Sequence, residues 1–245
     1  MATTGDSIDR CLDCIRQRVA QAVKLRDSSA GTVGRPVKLV AASKSQPAEA
    51  IIEAYRAGQR IFAENYIQEM CHKSADPVVI SSCPDIEWRL IGHIQSNKVN
   101  QVLRVDRLVA IETIDSIKIA QTLEKALTAR NKTLEAMVQI NSGEEDVKTG
   151  VLPSDVIELV RYVRDECPHL KLTGLMTIGR FGHDWTTGTN PDFLTFIDSR
   201  NNICETLDIP LDSLELSFGM TADFEQAIAL GSTQVRVGTA IFGAR

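Results

Sequence analysis

Two charged side chains stand out because their neighbours are apolar. Leu39-Val-Ala-Ala-Ser-Lys44 ends in a lysine, and Gln234-Val-Arg-Val-Gly-Thr239 carries an arginine in its middle. If both segments are strands, Val40, Ala42 and Lys44 share one face, as do Arg236, Gly238 and Ala240. A lysine removed from water has its ammonium disfavoured, and the free amine becomes a nucleophile suited to Schiff-base formation with an aldehyde. The same position also suits a lysine that snorkels to a rim for solubility. An arginine inside the fold needs an acceptor, because an unpaired buried guanidinium is costly. Either Glu215, on a neighbouring segment, or an atom of a ligand can serve.

A third signal concerns anions. Ser217-Phe-Gly-Met-Thr-Ala-Asp223 runs from a strand pattern into a helix pattern, and Arg236-Val-Gly-Thr239 forms a second small loop with a hydroxyl. Gly219 permits close backbone approach, and Thr221 is placed to cap the helix. Amides, hydroxyls and a helix start converging in this way make a phosphate cup. Read blandly, they are two tight turns with ordinary caps.

These residues need elements to position them. Strand patterns occur at 37–44, 60–65, 87–93, 107–114, 135–141, 170–178, 213–219 and 234–242. Helical patterns fill the gaps, for example 116–128, 153–166 and 222–230, with Pro47 opening one helix and Asp115 capping another. Strict alternation implies parallel strands with right-handed crossovers, and eight units in this length fit a single (β/α)8 TIM barrel of class α/β. A doubly wound sheet would normally show a Gly-rich loop after its first strand; here that strand ends Ala42-Ser-Lys-Ser45. Ile8, Leu12, Ile15, Val19 and Val23 recur at helical spacing and predict an extra N-terminal helix. Residues 1–34 are that helix and a linker, and 1–245 reads as one domain. In such a barrel, chemistry lies at the C-terminal strand ends, and phosphate sites after strands seven and eight are frequent.

Composition narrows the function classes. The chain has 245 residues, 43% hydrophobic and 24% charged, with 27 basic and 32 acidic residues for a net charge of −5. No basic run marks a nucleic-acid binder. No apolar stretch approaches the roughly 20 residues that cross a bilayer. Met1 to Arg10 lacks the basic n-region of a secretory signal, and Asp6 and Asp9 argue against a mitochondrial presequence. Six cysteines are too sparse for a disulfide scaffold, and reduced thiols suit a cytoplasmic protein. Cys11-x-x-Cys14 lies in a helical pattern without a second pair or a matching histidine pair, so a metal site is not expected. His93 ends the third strand pattern, while His72, His169 and His183 lack metal-ligand spacing. Glu144, Glu145 and Asp146 read as a solvated loop. The segment 179–190 is long for a loop after a barrel strand, and reads either as a lid with Trp185 as a contact or as an irregular insertion.

Taken together, the strand-end lysine, the inward arginine and the phosphate cup resemble the pyridoxal phosphate homeostasis proteins, whose barrel is like the N-terminal domain of alanine racemases. The resemblance runs in order through Leu39–Lys44, Phe62-Ala-Glu-Asn-Tyr-Ile-Gln-Glu69 and Trp88-Arg-Leu-Ile-Gly-His-Ile-Gln-Ser-Asn-Lys98. It continues in Gly174-Leu-Met-Thr-Ile178, Leu216–Asp223 and Val235–Gly243. It implies a monomeric pyridoxal 5′-phosphate (PLP) binder without established turnover, tied to vitamin B6 and amino-acid balance. Its partners would be the cofactor and, transiently, PLP-requiring apoenzymes. The alternative is a slow PLP-dependent racemase or a Schiff-base aldolase. By the same resemblance, Lys44 holds the cofactor as an aldimine. Ser217, Thr221, Gly238 and Thr239, with the Met220 backbone, form the phosphate cup. Arg236 faces the pyridine nitrogen, where it disfavours ring protonation, and Asn65 and Met176 line the ring. Arg89 departs from the family's usual histidine, and His93 stands at a variable position. Alanine racemases continue into a second domain that supplies a tyrosine base, and the resemblance leads us to expect no such domain here.

Overall fold

Along the first three strands, Val40, Ala63 and Ile91 turn inward and form a small apolar cluster of their own. Ala41, Phe62, Trp88 and Leu90, on the opposite faces, join the larger core beneath the surrounding helices. That alternation is what a sheet closed on itself requires. In a computed structural model, residues 7–26, 31–144, 149–180 and 182–243 are described. Eight parallel strands close a barrel in chain order: β1 Lys38–Ala42, β2 Ile61–Glu64, β3 Glu87–Leu90, β4 Leu108–Ile114, β5 Leu134–Ile140, β6 Leu170–Thr177, β7 Glu215–Ser217 and β8 Gln234–Val237. β8 pairs with β1 in a register that sets Val40 beside Arg236. The expected TIM barrel is therefore the fold.

The helices are α1 Ile8–Lys24, α2 Ala48–Arg56, α3 Ile67–Ser74, α4 Pro77–Ser82, α5 Val99–Val102, α6 Ile117–Thr128, α7 Val156–Glu166, α8 Pro191–Leu207, α9 Phe224–Ala229 and α10 Thr239–Phe242. The extra helix α1 buries Cys11, Leu12, Ile15, Val19 and Ala22. Arg18 then ties it to Glu225 of α9 at 2.7 Å.

Several boundaries differ from the sequence reading. Strand eight does not continue to Phe242: after Gly238 the chain turns into α10, whose four residues are too few to show a helical period. β1 stops at Ala42, two residues before Lys44. α6 is capped by Ser116, whose hydroxyl accepts from the Ile119 N–H, not by Asp115. Asp223 takes the cap position of α9, and Thr221 lies outside it.

The segment after β6 is folded where described, at 179–180 and 182–190. Asp192 accepts from both the backbone and the side chain of Arg180. Trp185 packs on Phe193 at 5.9 Å, and His183 meets its edge at 5.0 Å. Trp185 thus anchors this loop against the core. Glu145 and Asp146 of the predicted solvated loop lie outside the described residues, as does Phe181. Among the described residues no disulfide forms, no group of side chains is placed to hold a metal ion, and no helix is long and apolar enough to cross a membrane.

Candidate functional site

The inside of the barrel is polar on one side. Glu112, from the middle of an otherwise apolar β4, is fully buried and organises it. Its carboxylate accepts from Ser217 Oγ at 2.9 Å, from Gln234 Nε2 at 2.7 Å and from Arg89 at 3.4 Å. The Ser217 hydroxyl in turn accepts from Gln234 Nε2 at 2.9 Å and from Arg236 at 2.7 Å. Arg236 also donates to the Thr177 carbonyl at 2.9 Å. Of the acceptors considered from sequence, Glu215 does not serve Arg236: it pairs with Lys38 at 2.5 Å instead.

Two buried guanidinium groups therefore lean on one carboxylate, with opposite results. Burial works against the charge on Arg89, but Glu112, Glu135 and Glu215 outweigh it and push its pKa up. Glu135 supplies the closest of these contacts, at 2.9 Å. For Arg236, burial dominates and pushes the pKa down, against the nearby charges of Glu112 and Asp223. The Asp223 carboxyl is pushed up by burial, although the Met220 N–H donates to it at 2.6 Å and Arg236 lies near.

Above this network lies the mouth. Lys44 is half-buried in the turn that follows β1, and among the described residues no hydrogen bond or ion pair engages its amine. Asn65, at the end of β2, has a buried Oδ1 without a hydrogen-bond partner. Its backbone abuts Gly92, where any side chain would collide with the Asn65 carbonyl. On the far side, Gly219 takes a φ of 94° and sits 2.5 Å from the Ala227 side chain as judged from a Cβ placed there, so only glycine fits. This bend brings Thr221 to Gly238, whose N–H donates to the Thr221 hydroxyl at 3.4 Å. Gly238 packs in turn on the Ala42 carbonyl of β1, two residues before Lys44. Thr239 is exposed at the rim, and Met220 is half-buried. Met176 is buried on β6, in register with Ser217.

The structure thus joins Thr221 with Gly238, and Arg236 with Ser217. It places Ser217 fully inside the polar network, below the exposed Thr239. His93 stands at the rim with its Nδ1 3.0 Å from Asp115. Sequence reasoning passed over Glu112 and Gln234. A carboxylate inside Leu108-Val-Ala-Ile-Glu-Thr-Ile114 was the available signal.

A closed parallel barrel with a buried arginine and an unpaired lysine at its mouth defines a class, and the comparisons agree with it. The family model described as "Alanine racemase, N-terminal domain" matches residues 12–245. The mouse protein named pyridoxal phosphate homeostasis protein is 46% identical over 236 residues, covering 96% of this chain and 85% of the mouse protein. The human protein of the same name is 44% identical over the same coverage. The chain belongs to the alanine racemase N-terminal-domain family and, within it, to the pyridoxal phosphate homeostasis proteins. A solved protein of unknown role from Bifidobacterium adolescentis superposes with a TM-score of 0.82 at 33% identity, covering 96% of this chain and 94% of that one. PipY of Synechococcus elongatus with PLP bound gives 0.75 at 29%, covering 96% and 100%. An alanine racemase from Clostridium difficile shares the fold at 0.69 and 13%, the match covering 96% of this chain and 57% of the racemase.

Proposed function

We propose that this protein binds pyridoxal 5′-phosphate and holds it covalently through Lys44, acting in vitamin B6 and amino-acid homeostasis. The observations that carry the reading are the unengaged Lys44 amine two residues past the end of β1 and the buried, unpartnered Asn65 Oδ1 one residue past the end of the paired β2, with Gly238 set against Ala42 of β1 and donating to Thr221. Polar groups in native proteins are normally paired when buried, so an orphan acceptor and an unengaged amine just past the ends of adjacent strands support a ligand-holding role. PipY with PLP bound supports the choice of cofactor. When bound, PLP supplies an aldehyde and an electron-accepting ring.

Each residue then has a task. The Lys44 amine would hold the cofactor through its aldehyde. The Thr221 and Thr239 hydroxyls, with the Gly238 and Met220 backbone, receive the phosphate. Arg236 donates to Ser217 and Thr177, and its remaining N–H groups would face the ring nitrogen. A guanidinium there opposes protonation of that nitrogen, which weakens the ring as an electron sink. Asn65 and Met176 flank the ring, and Ser217 acts from below by fixing Arg236.

The reading extends to a monomeric, cytoplasmic carrier that meets PLP-requiring apoenzymes transiently and has no turnover of its own. Racemisation needs a base on each face of the ring, and Lys44 serves one. His93, the histidine at the rim, is engaged with Asp115. The test has two arms. Titration of the apoprotein with PLP should give a yellow chromophore, with pyridoxal bound much more weakly; equal affinity for both would mean that no phosphate cup exists. Incubation with L-alanine in heavy water should leave the α-proton largely unexchanged by NMR. Exchange at about 1–10³ per second, the usual enzymatic range, would make the protein a racemase.

A further inference from the structure

Behind the mouth, on the outer side of β1 and β2, lies an ion cluster that no part of the proposed site uses. Lys73 of α3 is almost fully buried and has three acceptors: Glu64 Oε1 at 2.6 Å, Glu69 Oε1 at 2.6 Å and the Ser43 carbonyl at 2.7 Å. The two carboxylate oxygens have second partners. Glu64 Oε1 accepts from the Ser43 hydroxyl at 2.7 Å, and Glu69 Oε1 accepts from the Ser45 N–H at 2.5 Å. Each carboxylate therefore grips one of the two residues that flank Lys44, and one ammonium joins the carboxylates.

The local backbone needs such a grip. Lys44 lies beyond the last paired residue of β1, so the sheet no longer fixes it. Ser45 has a φ of 61°, a left-handed conformation that is strained for a residue with a side chain. Such a conformation persists where the surroundings over-determine it. The cluster is costly in its own right, since burial outweighs the Lys73 charge and pushes the Glu64 carboxyl up. Replacing a buried ion pair by apolar residues is often neutral or stabilising, so general stability is a weak account of it.

We propose that Lys73, Glu64 and Glu69 are positioning residues for Lys44. They clamp Ser43 and Ser45 so that the free amine points into the barrel mouth rather than swinging to solvent. The proposal rests on Lys44 being the covalent anchor.

The test measures the rate of covalent capture of pyridoxal, which needs no phosphate cup. Capture is trapped with borohydride at set times, and the labelled peptide is identified by mass spectrometry. Deuterium uptake at the 43–46 backbone, in protein without cofactor, is read in parallel. Glu69→Ala should slow capture at Lys44 by about 10–10²-fold, the scale for small misplacements of a reacting group, and should speed exchange at Ser45. Glu69→Gln retains an acceptor oxygen and should stay close to the wild-type rate, a rescue that a general loss of stability would not give. Lys73→Met should match Glu69→Ala; if it does not fold, the Glu69 pair decides alone. Capture by Glu69→Ala at the wild-type rate, or a Glu69→Gln variant as slow as Glu69→Ala, overturns the clamp. A wild-type label on another lysine would instead refute the anchor, and the exchange measurement would still report whether the cluster holds this turn.

Discussion

The barrel interior and the rim above it handle charge in opposite ways. Inside, Glu112 gathers Arg89, Gln234 and Ser217, Ser217 receives Arg236, and Glu215 answers Lys38. At the rim, the Lys44 amine and the Asn65 Oδ1 have no described partner, and Thr239 is exposed. The contrast separates groups that pair inside the barrel from groups the proposed function would draw on. Interior charges pair with one another, although Arg89 Nε, Gln234 Oε1 and Glu215 Oε2 are also left without a hydrogen-bond partner. The rim keeps polar groups unspent, where a ligand can use them.

If this division is right, the two regions respond differently to substitution. The largest effect should come from Lys44→Ala, which abolishes the covalent chromophore while leaving urea unfolding close to wild type, because the amine has no described partner to lose. A chromophore that survived, or a large loss of stability, would erase the distinction. Next is Glu112→Ala. Removing this carboxylate takes the largest opposing charge from both buried guanidinium groups, though Glu135 still faces Arg89, and should cost about 3–5 kcal/mol in urea unfolding. A cost near zero would mean that the interior network does not hold the barrel.

Smaller effects sharpen the boundary. Thr239→Val should weaken retention of PLP by about 1–3 kcal/mol, the range for a hydrogen bond to a charged group, with unfolding unchanged. Ser217→Ala should weaken retention and also destabilise the fold, because its hydroxyl serves Glu112, Gln234 and Arg236. Parallel equilibrium dialysis and urea titration separate the two behaviours. The smallest effect belongs to the partly exposed Arg18–Glu225 pair, where Arg18→Met should cost less than about 1 kcal/mol. Here the pH sign is fixed. The Arg18 hydrogen bond holds the Glu225 carboxyl below its usual range. Its contribution is present above the unfolded carboxyl pKa and is lost as pH falls through the folded one. The gap between wild type and Arg18→Met should therefore close in acid.

Much of this was legible in the chain. Strict alternation announced the barrel, since parallel strands need crossovers that only helices of this length supply. Lys44 and Arg236 were visible because each interrupts an apolar run. What stayed hidden was pairing at a distance. Glu112 is separated from Ser217 by more than a hundred positions, and only closure of the barrel brings them together. The grip on Ser43 and Ser45 was half visible: Glu69 and Lys73 stand four apart on one helix face, but Glu64 joins them only once β2 and α3 pack. The short helix after Gly238 could not be told from strand because four residues carry no period.

The most direct test of the central claim is borohydride reduction of the PLP-loaded protein, followed by peptide mapping. The account predicts a single stable phosphopyridoxyl label on the peptide that contains Lys44, and none in Lys44→Ala. A label on any other lysine of the wild-type protein, Lys73 included, would contradict it.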